Sequence, residues 1–87
     1  MSRAERRVTV VSPVGLHARP AARFVTAASA FDGRVRIARP GGASVPATSM
    51  LAVLTLGVRS GEEIVITVEG EGAEELLDRL AEIAATP

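Results

Sequence analysis

The sequence predicts an α+β fold in which a β-sheet is covered on one side by helices, the elements following in the order βαββαβα. Three features carry this expectation: strands with one apolar face, helices with one apolar stripe, and glycine or proline punctuation between them. Arg7 to Val11 alternates loosely and is rich in β-branched residues, which suits a first strand with a buried face, and Ser12-Pro13-Val14-Gly15 ends it. Ala21, Phe24, Val25 and Ala28 then follow the spacing of an amphipathic helix that begins close to His17 and stops at Asp32-Gly33. Val35 and Ile37 alternate with Arg34, Arg36 and Arg39, so the second strand should present a wet, basic face. "PGGAS" reads as a turn into a short strand around Ser44 to Ala47, confined to an edge because Pro46 cannot donate to a ladder. Ser49 is placed to cap a short helix from Met50 to Thr55, with Gly57 closing it. Glu63 to Val68 forms the last strand, bounded by Gly61 and Gly70. Leu76, Leu77, Leu80, Ile83 and Ala84 make the stripe of a final helix whose acidic start, Glu71, Glu74 and Glu75, complements the positive end of its dipole. Pattern does not set strand order, so a ferredoxin-like arrangement, and with it a regulatory small-molecule-binding domain, stays open on these grounds.

The 87 residues leave room for one domain, residues 1–87, and no second. With no cysteine, disulfides, thiolate metal sites and thiol nucleophiles are excluded, and a reducing, cytoplasmic setting is expected. The basic start "MSRAERR" lacks the apolar run of a signal peptide, and "MLAVLTLGV" covers only about half of the roughly 18 residues a membrane helix needs. A soluble protein without a membrane partner follows. Ten basic residues balance ten acidic ones, and Phe24 and Phe31 are the only aromatics, so nucleic acid is not an expected partner. The charges are nonetheless segregated, arginines toward the first half and carboxylates in the last third, which fits a face meeting an anion or an acidic partner.

The single histidine, His17, lies in "GLHARPA". A lone histidine in a small protein is most often structural. Here, however, a strand has ended, a glycine permits a sharp turn and a helix is about to begin, so the ring should project beside unpaired helix amides, a setting that attracts anions. Pro20 suits the first helical turn, where a missing N–H costs nothing. Arg19 can bring a planar guanidinium to the same anion. Imidazole, the amides at Ala18 and Arg19, and the arginine together describe a phosphoryl site in which a neutral ring nitrogen is the nucleophile. One histidine without cysteine is too few ligands for a metal, no cofactor is implied, and no spacing suggests a hydrolytic triad around Ser12.

"GLHARPAARFV", followed by "ATSMLAVLTLGVRSGEEIVITVEGEG", resembles HPr, the histidine-containing phosphocarrier family of the bacterial phosphoenolpyruvate:sugar phosphotransferase system, over about Arg7 to Ile83. The resemblance implies an open-faced β-sandwich with a four-stranded antiparallel sheet in the order 1-4-2-3 and three helices on one face. It also implies a monomer that is a stoichiometric carrier rather than an enzyme. His17 would accept a phosphoryl group on Nδ1 from enzyme I and pass it to an enzyme IIA domain, with Arg19 steadying the phosphate. Met50, Leu51 and Leu54 match a docking patch; helical geometry assigns Val53 and Leu56 to the buried side, and Met50 with Leu54 to the docking side. Ser49 aligns with a serine that a dedicated kinase phosphorylates in some members, although Thr48 stands where many carry lysine. Val14 replaces an Asn, Ser or Thr able to bond near the imidazole. Either Ser12 or a backbone group then orients His17, or the ring is freer. A nitrogen-type relay or an HPr-like regulatory module shares the same motif.

Overall fold

The computed structural model describes residues 3–87. Seven elements follow one another: β1 Arg3–Thr9, α1 Ala18–Ser29, β2 Arg34–Ala38, β3 Val45–Pro46, α2 Met50–Thr55, β4 Glu63–Glu69 and α3 Ala73–Ala85. The four strands form one antiparallel sheet in the order β1-β4-β2-β3, which decides against the ferredoxin-like alternative. Both β1 and β2 pair with β4, so the chain crosses over through α1 between them, and β2 and β3 close as a hairpin. The two-residue β3 with Pro46 occupies an edge, as expected from the missing donor.

Alternation along β4 explains the layering. Ile64, Ile66 and Val68 point inward with Val35 and Ile37 of β2, and all are buried, whereas Glu63, Thr67 and Glu69 lie on the open face. α1 contributes Ala21, Phe24 and Ala28 to the core, and α3 contributes Ala73, Leu76, Leu77, Leu80 and Ala84. Phe24 is completely enclosed, as are Ile37, Ile64, Ile66 and Leu80. Burial of one such side chain is worth about 1.5–3 kcal/mol, which makes this layer the main source of stability.

β1 differs from the expectation of a strand over Arg7 to Val11. It begins at Arg3, and the ladder pairs Arg3 with Glu69 and Arg7 with Val65 across to β4, leaving Glu63 opposite Thr9. The charged start is strand because its charges have partners: Arg3 Nε lies 3.3 Å from Glu69 and Arg7 Nε 3.6 Å from Glu63. Arg6 reaches α3, its guanidinium 2.6 Å from Asp78 and 3.5 Å from Glu74. Much of the charge segregation along the chain is therefore internal pairing between the first strand and its neighbours. Val10 and Val11 continue beyond the ladder, their amides bonded to the carbonyls of Glu62 and Ala84 at 2.9 Å each. The last strand also runs one residue past Val68, to Glu69.

Arg39 is a second departure. It follows β2 rather than joining the strand's wet face, and its guanidinium turns to the end of α2. Among the described residues no helix is long and apolar enough to cross a membrane.

Candidate functional site

The turn between β1 and α1 is built on a neighbouring loop. The Gly15 amide donates to Ser12 O at 2.9 Å, and the Leu16 amide donates to Val58 O at 3.0 Å. Gly15 has φ +68, and a Cβ there would overlap the Val58 carbonyl oxygen and stand 2.9 Å from Arg59 Cα. Glycine is thus required twice over, by backbone conformation and by the close passage of residues 58–59. Leu16 is buried at the foot of the turn, and His17 follows it as the N-cap of α1, in extended conformation with φ −133 and ψ 170.

His17 is half-buried at this position. It makes no capping hydrogen bond, and no side-chain hydrogen bond among the described residues involves it. Ser12, although buried, does not orient the imidazole through its hydroxyl, and Val14 is 53% exposed beside the turn. Among the described residues neither Ser12 nor a backbone group bonds the ring in the place that Val14 leaves.

Ala18 opens α1 with φ 52, the left-handed region, at a cost of roughly 1–2 kcal/mol for a residue with a Cβ. The amides of Ala18 and Arg19 have no partner within the helix, since the first turn of any helix leaves its donors unpaired, and Pro20 has none to satisfy. The first turn of α1 carries no acidic side chain, in contrast to α3, which has Glu74 and Glu75. No acidic side chain in that turn offsets the positive end of the α1 dipole. Arg19 is exposed, forms no ion pair among the described residues, and lines an open groove between α1 and α3 with Arg23, Arg79 and Glu75.

α2 packs against α1. Ser49 caps it as expected, its Oγ accepting from the Ala52 amide at 3.2 Å. Ser49→Ala should therefore lower stability by about 1 kcal/mol in urea unfolding, and an unchanged midpoint would show that the cap contributes nothing. Val53 is buried as anticipated, and Leu56, Met50 and Leu54 are each half-buried and packed against the core with part of their surface exposed. Leu51, 74% exposed, is the residue that projects. A six-residue helix lying at the margin of the core has an orientation that spacing alone does not fix.

Sequence reasoning missed a polar tie beneath α2. Arg39 Nε donates to Leu56 O at 2.8 Å, and its Nη2 donates to Gly57 O at 2.7 Å and to Glu62 Oε1 at 3.2 Å. Glu62 Oε1 also accepts the Arg59 amide at 2.7 Å. That amide first, then the Arg39 guanidinium, holds the Glu62 carboxyl below the ordinary carboxylate range. Its stabilising contribution is present above the unfolded-state value and is lost as pH falls through the lowered one. The three-residue spacing of Arg59 and Glu62 was the available signal; the participation of Arg39 had none.

The family described as "PTS HPr component phosphorylation site" matches residues 4–86. The chain is 56% identical over 82 residues to a phosphocarrier protein HPr of Streptomyces coelicolor, covering 94% of this chain and 88% of the relative. It is 50% identical over 84 residues to one of Haloferax volcanii, covering 95% and 94%. The crystal structure of a phosphocarrier protein HPr from Bacillus anthracis superposes with a TM-score of 0.89 at 38% identity, covering 97% of this chain and 99% of that one.

Proposed function

Because the chain belongs to the HPr family of phosphocarrier proteins of the phosphotransferase system, we propose that His17 is its phosphoryl acceptor, charged by enzyme I and discharged to an enzyme IIA domain in the cytoplasm. The observation that carries this reading is the half-buried, unbonded imidazole at the cap of a helix whose first turn holds no acidic side chain. His17 Nδ1 attacks the phosphorus of a phosphohistidine on enzyme I. The new N–P bond forms as the old one breaks, and the departing imidazole keeps the electron pair. The reverse exchange delivers the group to a histidine of the IIA domain.

Phosphoryl transfer proceeds through a loose transition state that asks for alignment and charge stabilisation rather than covalent help. The open amides of Ala18 and Arg19 and the unpaired Arg19 guanidinium supply positive potential, and the partner supplies the remainder of the site. The protein then acts stoichiometrically, as a monomer with no turnover of its own, and its interfaces are small and transient. Leu51, flanked by Met50 and Leu54, is the apolar contact beside the acceptor, with Met adapting to different partners. Ser49 is a regulatory phosphorylation site in this reading: a phosphate there would fall on the first turn of α2 while adding negative charge to the docking surface.

The test is incubation with enzyme I, phosphoenolpyruvate and magnesium, which should yield one acid-labile, alkali-stable phosphoryl group per chain. No uptake would refute the carrier reading. Addition of sugar-type and nitrogen-type IIA domains to the charged protein assigns its branch: drainage by the sugar type supports the sugar relay proposed here, and drainage by the nitrogen type alone replaces it.

A further inference from the structure

We propose that Arg39 and Glu62 are positioning residues for the acceptor turn, a clasp that holds residues 56–62 as a rigid seat for Gly15 and Leu16 while terminating the docking helix. The proposal rests on the reading of His17 as acceptor, and its structural part can be measured separately.

The clasp is continuous in space. Arg39 spans the last carbonyls of α2 and its exit, Leu56 O and Gly57 O, which any helix leaves without internal partners. The next carbonyl along, Val58 O, accepts the Leu16 amide immediately before His17. One peptide unit thus separates the carbonyl that Arg39 grips from the one that carries the turn. On the far side, Glu62 binds both Arg39 and the Arg59 amide, while the Glu62 amide donates to Arg59 O at 3.0 Å, so residues 59–62 form a closed loop. That loop is stitched to the strand leading into the turn: Gly61 N to Val10 O at 2.7 Å, Val10 N to Glu62 O at 2.9 Å, and Ser60 Oγ to Val11 O at 3.3 Å.

Rigidity of the seat is needed because the imidazole has no hydrogen bond of its own among the described residues. A ring oriented by a side-chain partner could tolerate a soft backbone. Here the placement of His17 comes from Leu16 packed in the core and from the Val58 carbonyl behind it. The planar fork of Arg39 suits two successive carbonyls and a carboxylate together, which a lysine ammonium does not match. Because the same fork ends α2, the clasp also fixes how Leu51 stands relative to the acceptor turn.

Arg39→Gln and Glu62→Gln should leave the fold intact, raise the exchange rate of the Leu16 amide about tenfold, and slow charging by phospho-enzyme I about tenfold without changing the final stoichiometry. Arg39→Lys should recover part of both effects, and provides the reading if Arg39→Gln fails to fold. Arg6→Gln, which removes ion pairs to Asp78 and Glu74 that share no residue with the clasp, serves as the control and should alter neither quantity beyond its effect on global stability. Leu16 exchange that stays at the wild-type rate in Arg39→Gln, or rises equally in Arg6→Gln, overturns the clasp. The expected exchange effects in a protein that never charges would instead refute the acceptor reading and leave the clasp standing.

Discussion

His17→Ala is expected to take up no phosphoryl group at all under conditions where the wild-type protein is charged to completion. The chain has no second histidine and no cysteine, so no other side chain offers a neutral nitrogen or sulfur nucleophile that would give an acid-labile, alkali-stable adduct. The loss should be chemical rather than structural. His17 caps α1 through its backbone alone, so the variant should unfold within about 0.5 kcal/mol of the wild type. Phosphorus NMR and intact mass, read beside a urea melt, separate the two causes. An adduct of equal yield in the variant would place the chemistry elsewhere. In the same assay Arg19→Ala should retain full stoichiometry but charge about a hundredfold more slowly, since it removes charge stabilisation and not the nucleophile.

Gly15→Ala should be the most damaging single-methyl insertion near the site, destabilising by about 2 kcal/mol or more and lowering the melting midpoint by roughly 10 °C. Two costs add at this position. The left-handed φ of +68 strains any residue with a Cβ, and the new methyl must displace the backbone of Val58 and Arg59, which is fixed on its other side by Arg39 and Glu62. Gly61 isolates the first cost, because it has φ +88 with nothing within 4 Å of where a Cβ would stand. Gly61→Ala should therefore lose only about 1 kcal/mol. Equal losses in the two variants, measured by urea unfolding, would show that close approach contributes nothing. Gly15→Ala should also charge more slowly, as the Leu16 bond to Val58 O is pushed apart.

Several elements could be placed from local chemistry because their signals need no knowledge of neighbours. The proline in the first turn of α1, the hydroxyl of Ser49 beneath Ala52, and the period-two pattern of Ile64, Ile66 and Val68 each act within a few residues. The start of β1 did not follow from such signals. Arg3, Glu5 and Arg6 look like a solvated tail until Glu69, Asp78 and Glu74, far along the chain, come within reach. Arg39 likewise reads as part of an alternating strand, although its odd spacing after Arg36 breaks the alternation.

The motif around His17 determined the chemistry proposed for this protein, because a nucleophilic ring, unpaired amides and a guanidinium are properties of adjacent residues. The strand order, which periodicity left open and the resemblance implied as 1-4-2-3, is fixed by pairing across the sheet, while the greater exposure of Leu51 than of Met50 and Leu54 and the seat made by Val58 under Leu16 were settled only by packing. Each of these depends on which distant segments share a surface, and burial and backbone bonding between remote parts of a chain leave no periodicity along it to read.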